Sequence, residues 1–270
     1  MNPHFLRDTV FSRRLTIRNY TEHSSKITSP IRLILLTDLH STVYGEDQKP
    51  LTDVISSCCP DLILMAGDIA DHKVPFAGTS VLIRRIAPTW PCFYVTGNHE
   101  HWTGKTDSLK RWLRSRGVTV LDGSVFSVSI RGQLLQIAGV DDPHRFTSSH
   151  HAVYLSEGWK KELQTCCSKL DPSHYSILLS HRPELTRFYR GSGFDLVVSG
   201  HAHGGQIRIP GLCNGLLAPH QGFFPRYAGG RYDLDGTSLI VSRGLCLNRL
   251  PRIFNPPEVA VICLAPENSV

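Results

Sequence analysis

The chain contains eight cysteines but no pair at C-x-x-C spacing, the spacing typical of thiol redox motifs and cysteine metal sites. Two of the cysteine pairs are adjacent residues, which rarely bridge each other. Most of the cysteines fall in predicted helices or strands, where a free thiol packs as a small apolar group. We therefore expect a reduced, intracellular chain without structural disulfides.

Long apolar runs are also absent. No run approaches the roughly 20 residues that a helix needs to cross a bilayer, and no basic, apolar and small-residue signal peptide opens the chain. We therefore expect a cytoplasmic protein. Residues 5–14 are basic and apolar, so they either contact anionic lipid or form a loosely held terminus. At most peripheral contact with a membrane is expected.

Charged residues are sparse, at 19% of the 270 residues, whereas hydrophobic residues make up 41%. This composition supplies a core and leaves no segment that reads as disordered. One domain over residues 31–270, preceded by an N-terminal extension with an edge strand over residues 1–30, is the economical division. The net charge of +6 fits an anionic substrate, an anionic membrane face or ordinary solubility, and the oligomeric state stays open.

Apolar runs and turn residues predict alternating strands and helices in the first half and an all-β last third. Strands are predicted over residues 15–20, 31–37, 61–66, 92–96, 118–121, 125–130, 134–140, 175–180, 195–199, 206–209, 238–242 and 259–264. Helices are predicted over residues 50–59, 76–87, 107–116 and 156–170. The βαβαβ order predicts a mainly parallel sheet, and the three strands between 118 and 140 predict a local antiparallel section.

Metal-ligand residues follow five of the predicted strands. They lie in Asp38-Leu-His40, Gly67-Asp68-Ile-Ala-Asp71, Gly97-Asn98-His99-Glu100, the lone His181 and Gly200-His201-Ala-His203. Ligands in open α/β sheets bind beyond the carboxyl ends of the strands, so these side chains should converge. Each cluster alone also has an ordinary explanation as a turn or a core histidine, but their joint occurrence at successive strand ends predicts one site.

The predicted site has seven ligands and two divalent metal ions. Asp68 can give one oxygen to each ion. Asp38, His40 and His203 complete the first ion's shell, and Asn98, His181 and His201 complete the second. Carboxylate, amide and imidazole ligands without thiolate favour Mn²⁺, Fe, Zn²⁺ or Mg²⁺. Two such ions share a water, make hydroxide available near neutral pH and offset charge on a phosphate under in-line attack.

His99 is surplus to this ligand set and lies beside Asn98 in the sequence. It is therefore the candidate to protonate the leaving oxygen or to stabilise the transition state. Asp71 can hold the His99 ring and favour its cationic form.

The ordered motif set resembles the calcineurin-like metallophosphoesterase superfamily, whose pattern is D-x-H, G-D-x-x-D, G-N-H-[DE], H and G-H-x-H. The resemblance covers residues 38–203 and implies a four-layer α/β/β/α sandwich with two mixed sheets, a dinuclear metal centre, an Asp71–His99 catalytic pair and hydrolysis of a phosphomonoester or diester. The tail, with His201-Ala-His-Gly-Gly-Gln-Ile-Arg-Ile-Pro210, Val241-Ser-Arg-Gly-Leu245 and Pro256-Pro-Glu-Val259, resembles the small bacterial YaeI/YkuE-like phosphodiesterases. These are related to hydrolases of UDP-2,3-diacylglucosamine.

Three arginines are candidates for contact with substrate phosphate, either bidentate or as structural cations: Arg182, Arg208 and Arg243. The late loop holds Phe223, Phe224, Tyr227 and Tyr232, which either form an apolar wall for a lipid or nucleotide group or cover the second sheet.

The predicted function is a metal-dependent phosphodiesterase acting on a phosphoester or pyrophosphate bond. A lipid-linked or nucleotide-sugar substrate ranks first and a cyclic or linear nucleotide second. The rivals are a nuclease and a catalytically inert metal-binding scaffold. No basic stripe or aromatic-basic platform indicates specific nucleic-acid binding.

Overall fold

The computed structural model describes residues 11, 13–147, 156–247 and 252–267. Most of the N-terminal segment predicted to contact lipid or hang loosely lies outside these residues. The division of the chain at residue 30 stays a prediction.

Two six-stranded mixed sheets form the centre of the molecule. In spatial order, the first sheet contains β1 (Thr16–Ser24), β14 (Glu258–Pro266), β2 (Ile31–Leu36), β3 (Leu62–Ala66), β4 (Cys92–Val95) and β5 (Thr119–Val120). The second contains β12 (Gly230–Asp233), β13 (Ser238–Val241), β9 (Leu196–Ser199), β8 (Tyr175–Leu179), β7 (Gln133–Gly139) and β6 (Ser124–Ile130). A separate two-stranded hairpin pairs β10 (Leu217–Ala218) with β11 (Gly222–Phe223).

Six helices are described along the chain. They are α1 (Lys49–Ser57), α2 (Ala77–Ile86), α3 (Asn98–Trp102), α4 (Thr106–Ser115), α5 (Glu157–Cys167) and α6 (Thr186–Tyr189). None of the helices in the described ranges is both long enough and apolar enough to cross a bilayer.

Alternation along the strands builds the layers. In β2, Leu33 and Leu35 belong to the core between the two sheets, whereas Ile34 and Leu36 pack with buried residues of α1, α2 and α4. Successive side chains of a strand point to opposite faces, so a fully apolar strand fills two cores at once. The outer face of the second sheet packs in the same way against α5 and α6. The predicted four-layer α/β/β/α sandwich with two mixed sheets is thereby confirmed.

The predicted antiparallel section is only partly correct. Strands β6 and β7 do pair antiparallel, but β5 pairs parallel with β4 at the edge of the other sheet. The Gly117 backbone has a φ of 83° directly after α4, and the Leu121 amide bonds the Tyr94 carbonyl at 2.8 Å. The chain therefore returns to the first sheet before it crosses to the second.

The prediction of a strand over residues 206–209 is wrong. Four consecutive residues, His203 to Gln206, have φ between 48° and 67°, and left-handed backbone cannot continue as a strand. Only single bridges remain, from Ile207 to Ile253 and from Ile209 to Cys213.

Candidate metal centre

The candidate ligands sit on unusual backbone, directly after the strands that carry them. Five of the seven have left-handed φ angles between 47° and 66°: Asp38, His40, Asp68, His201 and His203. Residues other than glycine adopt this region infrequently, although aspartate and histidine do so more than most. Each such residue costs of order 1–3 kcal/mol, and such strain clusters at functional sites. The chain turns sharply here and aims both residues of a motif into one cavity.

One group of ligand atoms comes from Asp38, His40 and His203. Their candidate atoms all lie within 4.8 Å of one another. The Asp38 Oδ1 atom is 4.0 Å from His40 Nε2 and 3.6 Å from His203 Nε2. All three residues are buried.

A second group comes from Asp68, His181 and His201, again within 4.8 Å of one another and buried. The two groups are joined at Asp68, because its Oδ2 atom is 3.3 Å from His181 Nε2 and 3.6 Å from His40 Nε2. Asn98 lines the same pocket as Asp68 and His201. All seven predicted ligands are thus brought to one region, as the motif order predicts.

Four atoms at this junction lack a hydrogen-bond partner within the described part of the chain. They are His40 Nε2, Asp68 Oδ2, Asn98 Oδ1 and His181 Nε2. A buried polar atom without a hydrogen bond costs about 1–3 kcal/mol. Asp68 Oδ2 and His181 Nε2 offset part of this cost as an ion pair at 3.3 Å, but four such atoms in one region favour a common partner. Oxygen and imidazole nitrogen atoms are ligands of borderline and hard divalent cations. The donor set therefore fits divalent metal ions.

The charges at the centre are strongly coupled. Burial alone would lower the pKa of His181, but the adjacent Asp68 carboxylate outweighs burial and raises the pKa to about 10. Burial alone would raise the pKa of Asp68, yet His181 and His40 hold it well below its usual value. For Asp38, burial prevails and the pKa is raised. A metal ion binding here must displace a proton from the histidine set.

Asp71 connects a candidate ligand with the candidate acid. Its Oδ2 atom is 2.9 Å from His40 Nδ1 and 3.0 Å from His99 Nδ1, while its Oδ1 atom accepts the backbone N–H of Lys73 at 2.7 Å. Burial would raise the pKa of Asp71, but the His40 contact and the Lys73 N–H bring it far below its usual value. The carboxylate therefore stays ionised and orients both rings.

Glu100 holds the ends of two strands together, a role that the motif alone did not reveal. Its carboxylate accepts backbone N–H groups of Asp68, Ala70 and Gly97 at 3.0, 2.9 and 2.8 Å. Burial and the Asp68 charge raise the pKa of Glu100 to about 8, although the Ala70 and Gly97 N–H bonds act in the opposite direction.

The pocket over these residues has a volume of about 560 Å³, within the range of small-molecule sites. Four of the candidate ligands line it together with His99: Asp68, Asn98, His201 and His203. Trp102 forms one wall, and residues 217–220 of the β10–β11 hairpin form another.

Residues 31–205 match the family model described as calcineurin-like phosphoesterase. The chain belongs to this family. Among curated proteins it is similar to the uncharacterized metallophosphoesterase YkuE of Bacillus subtilis, with 29% identity over 92% of this chain and 86% of that protein. The uncharacterized protein YpbG of the same organism is 27% identical over 87% of this chain and 81% of its own length. Phosphopantetheinyl hydrolase PptH from Mycobacterium tuberculosis superposes with a TM-score of 0.51 at 14% identity, covering 84% of this chain and 96% of that one, which shows the shared fold.

Arg182 of this phosphoesterase lies against the centre. It is fully buried, pairs with both carboxylate oxygens of Asp142 at 2.5 and 3.0 Å, and places Nη1 2.9 Å from His201 Nε2 and 2.7 Å from His220 Nδ1. Burial would lower its pKa, but Asp142 raises it. Contact with substrate phosphate stays a prediction.

The other two candidate arginines are not among the lining residues of the pocket. Arg243 is buried, bonds Asn214 Oδ1 at 2.5 Å and lies 3.7 Å from Glu258. Arg208 lines a shallow depression with residues 211–214. The structure therefore does not bring these two to the metal centre, and their contact with substrate stays a prediction.

Sequence reasoning missed several residues around the site. His72 Nδ1 lies 2.9 Å from His99 Nδ1, Trp102 contacts the His99 ring at a centroid distance of 4.3 Å, and His220 lies 3.0 Å from His201 Nε2. His72 and Trp102 are near neighbours of Asp71 and His99 in the chain, which was an available signal. No local sequence pattern indicates His220, because the long loop that follows His203 returns it to the candidate metal centre.

Proposed function

We propose that this phosphoesterase hydrolyses phosphodiesters with two divalent metal ions, with Mn²⁺ ranked ahead of Fe, Zn²⁺ and Mg²⁺. The observation that supports this most is the set of four buried polar atoms without a hydrogen bond among the described residues. They fall into two groups that share the Asp68 carboxylate.

In this proposal each ion has its own shell. One ion would be held by Asp38, His40 and His203, and the other by Asn98, His181 and His201. Asp68 would contribute to both. When bound, the ions supply a hydroxide near neutral pH and offset negative charge on the phosphoryl oxygens.

His99 would protonate the leaving oxygen. Its Nδ1 atom is held by Asp71, which leaves Nε2 as the nitrogen to deliver the proton. The ionised Asp71 favours the protonated ring that this step needs. A positioned acid of this kind contributes roughly 10²–10⁴ in rate.

A diester is favoured over a monoester by the pocket's charge. Lysine and arginine are absent from its lining residues in the described part of the chain. A monoester dianion carries one more charge that the lining would have to neutralise. The apolar walls of Trp102, Leu217 and Pro219 suit an organic group on the second ester oxygen.

Among diesters, a lipid-linked or nucleotide-sugar substrate ranks first, on the likeness of the tail to the YaeI/YkuE-like enzymes. A nucleotide diester ranks second. Trp102 is 40% exposed beside His99, and an exposed indole can stack a base. A cytoplasmic location is part of the proposal, supported by the burial of Cys58, Cys92 and Cys166, which pack as small apolar thiols.

Hydrolysis of bis-(p-nitrophenyl) phosphate and p-nitrophenyl phosphate, each with and without Mn²⁺, tests the proposal. We expect metal-dependent turnover and a higher kcat/KM for the diester. A higher kcat/KM for the monoester would overturn the diester assignment. Turnover of neither compound with any of the four metals would favour the inert scaffold. A panel of natural diesters with and without acyl chains then ranks the substrate classes.

A further inference from the structure

An apolar surface lies on the loop segment that follows the last ligand motif. We call it the hairpin surface and define it by five exposed side chains: Ile209, Leu212, Leu217, Phe223 and Phe224. Leu212, Phe223 and Phe224 are 79%, 71% and 69% exposed, more than any other large apolar side chain in the described ranges. Apolar side chains grouped in this way, rather than scattered singly, mark an interaction site.

The segment is built to hold these side chains outward. Leu217 and Phe223 are directly paired across the antiparallel β10–β11 ladder, so they share one face. The Phe224 amide bonds the Leu216 carbonyl at 2.9 Å, which fixes the end of the hairpin. Ala218 and Tyr227 are buried in the core of the second sheet and anchor the hairpin from beneath.

The aromatic residues of the late loop therefore divide into two pairs. Tyr227 and Tyr232 pack against the second sheet. Phe223 and Phe224 do not join them, although they lie only a few residues away.

The segment that carries the hairpin surface has charges of one sign. Residues 196–232 contain no aspartate or glutamate but three arginines, Arg208, Arg226 and Arg231. Arg231 pairs with Glu22 at 2.7 Å, so Arg208 and the exposed Arg226 set the local charge. Exposed aromatic and leucine side chains near arginines, on a segment without an acidic residue, are typical of surfaces that insert into an anionic lipid interface.

The hairpin surface also adjoins the pocket. Leu217 belongs to both, and the hairpin tip places Pro219 and His220 on the pocket wall. A layer that contacts Phe223 and Phe224 would therefore lie at the pocket's edge.

We propose that the hairpin surface docks the protein on an anionic lipid bilayer, beside the pocket. This docking goes beyond the hydrolysis proposed above and does not depend on it; only the further step, that the bilayer delivers a lipid-linked phosphoester, rests on the proposed function. A second copy of the chain is the less suitable occupant. A two-fold interface uses the same surface patch on both copies. The positively charged Arg208 and Arg226 of one copy would then face the same positively charged patch on the other.

Sedimentation with vesicles tests the docking. The wild-type protein should bind vesicles of equal parts phosphatidylcholine and phosphatidylglycerol and bind phosphatidylcholine alone much more weakly. The double variant Phe223→Ser/Phe224→Ser should bind the mixed vesicles about a hundredfold more weakly, since each buried phenylalanine contributes roughly tenfold or more. Arg226→Gln should weaken binding at low salt and have little effect at high salt.

Two exposed phenylalanines elsewhere provide matched controls. Phe126→Ser on β6 and Phe11→Ser near the N-terminus remove side chains that are 45% and 50% exposed, and both should leave vesicle binding unchanged. A loss of binding in Phe11→Ser alone would transfer the lipid contact to the N-terminus and overturn the proposal.

The proposal is also overturned if the wild type fails to bind mixed vesicles, or if the double variant binds as well as the wild type. A wild-type dimer that the double variant converts to monomer, without vesicle binding, would assign the hairpin surface to self-association. Turnover of bis-(p-nitrophenyl) phosphate should be unchanged in the double variant, which shows that it is folded. Vesicle binding lost in that variant, with a circular-dichroism spectrum and unfolding midpoint like those of the wild type and no turnover in either protein, would leave docking supported and the proposed hydrolysis refuted.

Discussion

Two glycines decide whether the candidate carboxylates can reach the centre. A Cβ atom on Gly97 would lie 2.2 Å from Asp68 Oδ1, and one on Gly200 would lie 2.4 Å from Asp38 Oδ2. Both distances are far below a van der Waals contact. Of the three glycines in these motifs, Gly67 alone has a positive φ, at 85°. The other two are needed for close approach rather than for a left-handed backbone.

Replacing Gly97 with alanine should therefore displace Asp68 and weaken metal binding while the fold persists. We expect Mn²⁺ affinity to fall by at least about tenfold, the effect typical of disturbing a ligand's support. Isothermal titration of the metal-depleted protein measures it. Gly104→Ala is the control for a glycine replacement without close contact: its φ of 66° makes alanine unfavourable there, but no atom lies within 4 Å of the added Cβ. An equal loss of affinity in both variants would contradict the close-approach explanation.

Variants of His99 and Asp71 should show which of the two residues affects turnover alone and which also affects metal affinity. His99→Gln should keep the metal and lose about 10²–10⁴ in turnover. Asp71→Asn should lose turnover and also about 10–100-fold in metal affinity, because Asp71 contacts His40 as well as His99. Metal content and kcat are measured on the same samples. The exposed His23, replaced by glutamine, is the control; unchanged kcat in His99→Gln would remove that residue from the mechanism.

The convergence of the candidate ligands was predictable at this scale because each follows an apolar run, so the local sequence carries the signal. The supporting contacts were not predictable. Gly97 with Asp68 and Gly200 with Asp38 meet across different strands, and Glu100 joins the ends of β3 and β4. Such approaches depend on the packing of neighbouring strands, which the sequence does not state.

At the scale of elements, a buried ion pair joins helix α4 to the end of strand β7. Lys110 Nζ lies 2.5 Å from Asp141 Oδ2, and both side chains are almost completely buried. Asp141 also accepts the Thr96 hydroxyl at 2.7 Å. The next residue, Asp142, holds Arg182. The strand end that approaches the metal centre is thus held in place by two buried carboxylates.

Replacing Lys110 with methionine should destabilise the protein by about 1–3 kcal/mol, less than the cost of a fully isolated buried charge, because Arg145 still pairs with Asp141 Oδ2. Adding Asp141→Asn should recover part of that loss. Denaturant unfolding measures both. Lys49→Met, which breaks the exposed pair with Asp53, should change little; equal destabilisation by Lys49→Met and Lys110→Met would contradict the assignment.

The same carboxylates predict a pH dependence of stability. Burial alone would raise their pKa values, but Lys110 lowers the pKa of Asp141 and Arg182 lowers that of Asp142. The unfolded chain, with aspartate near about 3.9, then binds more protons than the folded one. Their contribution is present above that pH and is lost as the pH falls through and below it. The denaturant midpoint of the metal-free protein should fall below about pH 4 and fall less steeply in Asp141→Asn; an identical slope would exclude Asp141 as a cause.

Element prediction succeeded where periodicity was strong. The buried strands β2, β3, β4, β8 and β9 and the four longer helices of the first two thirds begin and end within a few residues of the predicted bounds. The predicted strand pairing failed at β5, because the local sequence does not encode which strands pair with each other. Element prediction also missed β10, β11 and β12, whose short pairings lie inside a loop rich in glycine and proline.

At the scale of the whole molecule, the centre lies where the two sheets meet. Asp38, His40, Asp68 and Asn98 follow strands of the first sheet, whereas His181, His201 and His203 follow strands of the second. The His181 Nδ1 atom is 2.8 Å from the Ala66 carbonyl oxygen, and the His201 amide donates to Asp38. Neither sheet alone supplies a complete shell. The four-layer arrangement was predictable from the motif resemblance, but periodicity alone predicted only a mainly parallel sheet.

In the proposed metal centre, seven side chains from two sheets surround a pair of metal ions. Anomalous diffraction from crystals soaked in Mn²⁺ tests this most directly. We predict two anomalous peaks per chain, both in contact with Asp68, one beside His40 and His203 and the other beside Asn98 and His181. A single peak remote from Asp68, or none in crystals that bind Mn²⁺ in solution, would contradict the claim.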